Sequence, residues 1–588
     1  MELNWSLDEL YKSITSEEFK RDFNKIDELI KELKKLTESF NMDNKNALNS
    51  VEMYLTKYLE YLSFSDKLWN YLALRTAVNT NDEEAMKYLD MINSKITEVV
   101  VVETKFNKYI SSLENIQEYI NKSALLKRHE FYMKEIISNS KYLLSEAEEN
   151  IIAKMRETGS VAWLKLRDNL MSNLTVDIEE NGVVKEKPYT EVVNMAYSQD
   201  KEVRKKAYEA ELKSYKKVED GMVACLNGIK GEVINVSKLR GYKSPLDMTI
   251  IQSRMDMETL DAMFVALKES LPAFRKYLRK KAEMLGYKNG LPFYELYAPV
   301  SDANMKFSYK EATEFIIKNF QTFSDDLANF AKNAVDNAWI DVMPKKGKSG
   351  GAFCCGIHSI GESRILTNFD GNFGSVVTIA HELGHGYHDY CLKDESIVTA
   401  EYPMPIAETA STFCETIIKK AALKDATKEE ALSILETEIS DCTQVIVDIY
   451  SRFLFEDAVF KAREKSSITV EDAKRFMIEA QKEAYGDGLD PEYLHPYMWA
   501  MKSHYYDAEA NYYNFPYAFG LLFAKGLYGI YLEKGEKFTT EYKELLNATG
   551  NNNLIDVAKI VGIDLHDTNF WRKSLKVVEE DINEFLKI

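Results

Sequence analysis

The chain has 588 residues, a formal net charge of −19, and only 25 glycines and 11 prolines. This length exceeds what one hydrophobic core usually supports, so we expect at least two lobes, and the scarcity of helix-breaking residues predicts a mainly α fold. The negative charge repels phosphate groups, which disfavours nucleic acid and anionic membrane surfaces as partners.

The amino-terminal segment, residues 1–9, has neither the basic start nor the apolar stretch of a secretory signal. The sequence contains no run of 18 apolar residues, and its six cysteines are too scattered for a disulfide framework. These features together predict a cytoplasmic protein.

Residues 1 to about 170 are predicted to form successive amphipathic helices. The segment Thr15-Ser16-Glu17-Glu18 can form a capping box at the start of a helix, and apolar residues then recur at spacings of four and three: Phe19, Phe23, Ile26, Ile30 and Leu33. This spacing is typical of a helix packed on one side.

The pattern changes near Leu174. Residues 175–178 have the composition of a strand, Asn181-Gly182 is typical of a tight turn, and Val183-Val184 can begin a returning strand. We place a domain boundary just behind this predicted hairpin. Residues 1–190 then form an amino-terminal helical lobe, and residues 191–588 form the part that carries the motif described next.

The motif His381-Glu382-Leu383-Gly384-His385 places two histidines four residues apart. On a helix they lie one turn apart on the same face, so two neutral imidazoles can share one metal ion. Glu382 points to an adjacent face, where its carboxylate can take a proton from a water at that metal. This is the H-E-x-x-H arrangement of zinc hydrolases.

A catalytic zinc site usually has three protein ligands and an open fourth position. The downstream candidates for the third ligand are His388, Asp389, Asp394, Glu395, Glu401, Glu408 and Glu415. His388 is two turns along the helix from His381 and therefore too far, whereas Pro405 can begin a helix that carries Glu408 in its first turns. Glu415 is either an acceptor that orients a ligand histidine or a solvated surface acid.

The segment 363–369 is predicted to be a strand that ends just before the metal-binding helix. A strand in this position can pair with an extended peptide through its backbone, or it can be an ordinary sheet edge.

The motif 381–388, followed by Ala407-Glu408-Thr409-Ala410-Ser411, resembles the oligoendopeptidase F branch of the thimet oligopeptidase-like zinc metallopeptidases. Similarity extends to residues 5–11 and 348–354. The resemblance implies a two-lobed, mainly helical zincin-type fold with a deep substrate channel and a small β-sheet near the active site. It also implies that unfolded oligopeptides are the substrates.

The same resemblance implies the site residues. One Zn²⁺ per chain would be held by His381, His385 and Glu408, and Glu382 would be the catalytic base.

Tyrosines are concentrated near the carboxyl end, where seven of the 35 lie between residues 493 and 517. Phenol and imidazole groups can donate hydrogen bonds to the oxyanion that develops when a peptide bond is attacked. Residues 511–520 resemble the substrate-facing loop of the same family, and His504 resembles its histidine donor. We therefore take His504, Tyr513 and Tyr517 as candidates, while any single tyrosine of the cluster can equally be a core residue.

These residues predict a zinc-dependent endopeptidase that uses metal-activated water. One alternative is an aminopeptidase, which shares H-E-x-x-H and a distal glutamate, but the 22 residues between His385 and Glu408 exceed the usual interval. The other alternative is a non-catalytic peptide-binding protein with a structural zinc. Structural sites commonly use cysteines, which are not grouped with the histidines here.

Overall fold

A computed structural model of the chain describes residues 2–40, 46–180, 182–301, 303 and 305–588. The described residues are 71% helical and include two small sheets. The prediction of a mainly α fold is therefore confirmed.

The first part of the chain is a succession of helices, as predicted. Their bounds are α1 Glu17–Glu38, α2 Ala47–Val78, α3 Glu83–Ser112, α4 Ile116–Lys122, α5 Ala124–Arg128, α6 Glu130–Ser140, α7 Glu146–Thr158 and α8 Ser160–Ser172. Ser16 caps α1 by accepting a hydrogen bond from the backbone N–H of Phe19. All five apolar residues predicted to form the stripe of α1 are buried, so this helix packs on the predicted side.

A β-hairpin follows α8. Its strands, β1 Thr175–Glu180 and β2 Val183–Pro188, pair antiparallel along their whole length. Gly182 has a φ of +78°, which glycine adopts without strain. The predicted hairpin is confirmed, and the Asn181 of the predicted turn lies outside the described residues.

The remaining helices and strands occupy the rest of the chain. The helices before the second sheet are α9 Tyr189–Asn194, α10 Lys201–Ser214, α11 Glu219–Leu239, α12 Pro245–Gln252, α13 Met257–Met284, α14 Tyr309–Phe323 and α15 Asp325–Asp336. The strands of that sheet are β3 Ile340–Asp341, β4 Phe353–Ile357 and β5 Glu362–Leu366. The helices after it are α16 Phe373–Leu392, α17 Met404–Ala407, α18 Thr409–Asp425, α19 Lys428–Thr443, α20 Ile449–Arg463, α21 Val470–Tyr485, α22 Met498–Met501, α23 Phe515–Lys534, α24 Lys537–Ala548, α25 Leu554–Ile560 and α26 Thr568–Phe585. Between α19 and α20 the helix widens into a π turn at Gln444–Asp448.

The second sheet has the strand order β3-β5-β4 and packs against α16. β5 pairs antiparallel with β4 along its whole length and parallel with β3 at Ile365 and Leu366. The segment that we expected to offer its backbone to a peptide, or to form a sheet edge, is therefore an inner strand. Both expectations for it are wrong because β4 and β3 already occupy its two sides.

The chain divides into two compact units. Unit 1 comprises Met1–Lys141, Asn304–Ala421 and Ile530–Ile563, and unit 2 comprises Tyr142–Ala303, Ala422–Gly529 and Asp564–Ile588. The core of unit 1 gathers the apolar faces of α1–α6 and extends to Ile357 and Leu366 of the sheet. Unit 2 has a core of its own that includes Leu226 and Trp499. The sequence-based boundary at residue 190 stays a prediction.

Among the helices of the described residues, none combines the length and the apolar character that crossing a membrane requires.

Candidate metal centre

Helix α16 carries the two histidines of the motif. It begins after Asn372, whose side chain accepts a hydrogen bond from the backbone N–H of Ser375. The four-residue spacing brings the rings of His381 and His385 together, with centroids 4.8 Å apart and Nε2 atoms 3.1 Å apart. Both imidazoles therefore face the same point, as the sequence predicts.

Glu408 reaches that point from the chain between α17 and α18. We expected it in the first turns of one helix beginning at Pro405, but that helix is only the short α17, and Glu408 is the residue just after its end, with φ −84° and ψ 3°. A new helix, α18, begins at the next residue. The Oε2 atom of Glu408 lies 3.5 Å from Nε2 of His381 and 3.4 Å from Nε2 of His385, and it accepts a hydrogen bond from Ser411.

These three atoms have the spacing of metal ligands. Two ligands of a tetrahedral zinc ion with bonds of about 2.0–2.1 Å lie roughly 3.3–3.4 Å apart, and the distances here are 3.1, 3.5 and 3.4 Å. Within the described part of the chain, these residues form the one group of histidines, cysteines and acids with such spacing. Their chemistry and their distances both fit a zinc ion.

The second nitrogen of His381 is held by Glu415 of α18. Nδ1 of His381 lies 2.5 Å from Oε1 of Glu415, whose other oxygen accepts from Lys419 at 2.8 Å. Burial disfavours the charged form of Glu415, but Lys419 and His381 outweigh this and lower the pKa of Glu415 to about 2. A carboxylate accepts only, so Nδ1 carries the proton and Nε2 keeps its lone pair for a metal. Glu415 is therefore the orienting acceptor rather than a solvated acid.

Glu382 lies on α16 beside the two histidines and is only 6% exposed. Burial raises the pKa of its carboxyl group, and this effect outweighs the charges of His381 and His385, which lower it. For Glu408 the balance is reversed, because a hydrogen bond from His385 and the histidine charges overcome burial and lower its pKa. Two neighbouring carboxylates thus have different affinities for protons.

The helices α16 and α18 approach each other closely at Gly384. A Cβ atom on Gly384 would lie 2.6 Å from the carbonyl oxygen of Ala410 and 2.6 Å from Cα of Ser411. Only a residue without a side chain fits at this contact. The close approach brings Glu408 and Glu415 next to the histidines.

The other three candidates, His504, Tyr513 and Tyr517, belong to unit 2 and form a cluster there. The phenol oxygens of Tyr513 and Tyr517 are 2.8 Å apart, and the rings of His504 and Tyr513 have centroids 5.9 Å apart. The action of these side chains on a substrate stays a prediction.

His504 is held in one protonation state by Asn514. Nη1 of Arg452 donates to Oδ1 of Asn514 at 3.0 Å, and Nδ2 of Asn514 lies 2.7 Å from Nε2 of His504. Because a guanidinium only donates, the atom it contacts is the amide oxygen, and the amide nitrogen faces His504. Nε2 of His504 is then an acceptor, and Nδ1 carries the proton. Burial and the nearby cations, Arg452 first, lower the pKa of His504 to about 3, so the ring is neutral.

The H-E-x-x-H helix and a glutamate distant in sequence meet at one point in a mainly helical protein. This combination is typical of the class of metallopeptidases. Comparison with known families is more specific. The family model for Peptidase family M3 matches residues 194–577, and the model for Oligopeptidase F matches residues 112–175. The chain belongs to peptidase family M3, and the resemblance inferred from its motifs is confirmed.

Comparison with individual proteins supports the same family. The chain is 26% identical to oligopeptidase PepF of Bacillus subtilis over 99% of its own length and 86% of that protein. It is 24% identical to an oligoendopeptidase F homologue of Lactococcus lactis, covering 100% and 97%. Among solved structures, oligoendopeptidase-F of Enterococcus faecium matches with a TM-score of 0.71 and 18% identity over 97% of this chain and 98% of that one. A protein of Chlamydophila abortus matches with a TM-score of 0.82 and 22% identity, covering 99% and 98%.

Proposed function

We propose that this protein is a zinc-dependent endopeptidase that hydrolyses internal bonds of short, unfolded oligopeptides. The observation that carries the proposal is the convergence of His381, His385 and Glu408 on one point beside the buried carboxyl group of Glu382. The names of the relatives, oligopeptidase and oligoendopeptidase, support the substrate class.

His381, His385 and Glu408 would hold the zinc ion. When bound, zinc acts as a Lewis acid that polarises the peptide carbonyl and makes water acidic enough to attack at neutral pH. Glu382 accepts a proton from the attacking water and passes it to the leaving amine nitrogen.

His504, Tyr513 and Tyr517 would donate hydrogen bonds to the developing oxyanion. A neutral histidine can do this only with the nitrogen that carries its proton. Since Asn514 donates to Nε2 of His504, the available donor is Nδ1. We further propose a cytoplasmic location.

The experiment is a comparison of the wild type with Glu382→Gln on an end-blocked, internally quenched peptide. We expect the variant to bind one equivalent of zinc and to cleave about 10²- to 10⁴-fold more slowly. Asp394→Asn, which changes an exposed acid just after the same helix, is the matched control and should keep full activity.

The same assay separates the alternatives. An aminopeptidase would cut only peptides with a free amino terminus, and a binding protein with structural zinc would bind peptides without turnover. Wild-type activity in Glu382→Gln would refute the assigned base.

A further inference from the structure

Unit 2 contains a cavity of about 190 Å³ that the proposed function does not use. Its wall is rich in tyrosine and includes Tyr197, Tyr208, Tyr277, Tyr294, Tyr297 and Tyr485. None of the seven residues that we assign to the metal or to catalysis lines it. The wall is thus suited to an apolar or aromatic body.

The charged groups in the wall have hydrogen-bond or ion-pair partners, with one exception. Arg204 is paired with Glu295, its Nη2 atom 2.6 Å from Oε2, and both side chains are buried. Asp448 is paired with Arg452 and accepts from Tyr485 at 3.2 Å.

Glu211 is also partnered. It accepts a hydrogen bond from Tyr215 at 2.7 Å and lies 3.4 Å from Nε2 of His495. Both acids of the wall, Asp448 and Glu211, therefore have hydrogen-bond partners.

Lys502 is the exception. Among the described residues, its ammonium group has no hydrogen-bond acceptor and no ion-pair partner, although it lines the cavity and is only partly exposed. Burial, together with the charge of Arg452, lowers its pKa, and the charges of Asp448 and Glu211, which act in the opposite direction, do not reverse this shift. A desolvated ammonium group without a partner is costly, and an anion in the cavity would remove that cost.

The backbone that lines the cavity includes a departure from regular α-helix. Gln444 and Asp448, the two ends of the π turn between α19 and α20, both line it. Such turns interrupt the helical hydrogen bonds, are rare, and frequently occur at functional sites. This observation is independent of the charge argument and also indicates a ligand.

We propose that the cavity binds a small monocarboxylate with a single aromatic ring or a branched apolar group, its carboxylate paired with Lys502. The cavity volume lies below the roughly 300–1,000 Å³ that is typical of pockets for larger ligands, so a ligand of about one ring is favoured. Asp448 and Glu211 in the same wall disfavour a dianion such as a phosphate ester.

The test uses the full-length, zinc-loaded protein and 3-phenylpropionate, titrated in a calorimeter. We expect saturable binding of one molecule of 3-phenylpropionate per chain. The amide 3-phenylpropanamide has the same shape without the charge, and we expect it to bind about 10- to 100-fold more weakly. No saturation up to about 20 mM, which corresponds to a very weak interaction, or equal binding of acid and amide, would overturn the proposal. Phenylalanine adds an ammonium group and tests whether the acids of the wall bind an amine. If phenylalanine binds more tightly than 3-phenylpropionate, the proposed ligand class is wrong and amino acids take the place of monocarboxylates.

Variants assign the binding to this cavity. Lys502→Met should weaken binding of the acid at least about tenfold, while Lys461→Met, at an exposed lysine of the same unit, should not. Ala196→Phe fills the cavity without changing a charge and should abolish binding with an unchanged unfolding temperature, which separates occupancy from misfolding. Glu408→Gln should bind the acid normally, and a loss there would put the acid on the metal instead and contradict the proposal.

Discussion

Nδ1 of His381 and Oε1 of Glu415 lie 2.5 Å apart, and they join α16, which carries both candidate histidine ligands, to α18, which begins directly after Glu408. This contact fixes which nitrogen of His381 is free and how the ring is turned. Glu415 in turn is fixed by Lys419, so the orientation of the histidine is determined before any metal binds.

We expect Glu415→Gln to weaken zinc binding about 10- to 100-fold, because an amide holds the imidazole less firmly and makes it less basic. The measurement is zinc affinity in competition with a chromogenic chelator. Asp425→Asn, at the exposed end of the same helix, should leave the affinity unchanged. An unaltered affinity in Glu415→Gln would show that the contact does not position the ligand.

Removal of a ligand should have a larger effect. Glu408→Gln should lose zinc on dialysis against a chelator that leaves the wild type loaded, and peptide cleavage should fall with the metal content. Glu401→Gln, an exposed acid seven residues earlier, should retain both. If Glu401→Gln loses zinc and Glu408→Gln keeps it, our choice of the third ligand is wrong.

Gly384→Ala should push α16 and α18 apart, since the new methyl group would meet backbone atoms of Ala410 and Ser411. We expect a loss of about 1–3 kcal/mol in unfolding free energy and weaker zinc binding, both measured on purified protein. Gly350→Ala is the matched control, because a Cβ there meets nothing within 4 Å. Normal zinc affinity in Gly384→Ala would contradict the role of this contact in the site.

Asn514→Asp should move the proton of His504. A carboxylate only accepts, so the proton would shift to Nε2 and leave Nδ1 as an acceptor. We expect kcat to fall about 10²-fold with KM and zinc content nearly unchanged, and the nitrogen NMR shifts of His504 to report the exchanged tautomer. Asn121→Asp on the surface is the control. A changed tautomer with normal kcat would remove His504 from the mechanism.

His388 makes the stability of the protein depend on pH. Burial lowers its pKa from the ordinary 6.5 to about 3, and its Nε2 lies 2.9 Å from the hydroxyl of Thr549. Between these two pKa values the unfolded chain binds a proton that the folded chain does not, so this group makes stability fall as the pH falls from about 6.5 toward 3. We expect His388→Asn to lessen that slope by up to about 1.4 kcal/mol per pH unit.

The measurement is urea unfolding of both proteins at several values between pH 6.5 and 5. His566→Asn is an informative control. The hydrogen bond with Asp256 raises the pKa of His566 above the ordinary 6.5, so both states are mostly protonated below pH 6.5, and its removal should leave the slope in this range nearly unchanged. Parallel stability curves for the wild type and His388→Asn would contradict the prediction.

Much of the metal centre could be predicted because the patterns that indicate it lie within short stretches of the sequence. The helical repeat alone brings His381 and His385 together, and small residues around Glu408 permit a close helix contact. The break of the helix at Glu408 could not be foreseen, because nothing in Pro405 or its neighbours prevents one continuous helix. Lys419 was overlooked although its spacing of four from Glu415 is a recognisable signal.

Contacts between residues that are far apart in the sequence could not be predicted. Arg452 and Asn514 are separated by 62 positions, and no local pattern pairs them. The interpretation of residues 363–369 was wrong for the same reason, since a strand's own residues indicate that it is a strand but not whether it has one neighbour or two.

The interleaving of the two units has a consequence for how the protein is made. The chain passes from one unit to the other five times, and each unit receives its last segment from residues 530–588. Neither unit can reach its complete form while the ribosome still holds the carboxyl end. A premature stop codon near residue 530 would therefore yield two incomplete units instead of one intact and one damaged, and such a product would be a target for cellular proteases.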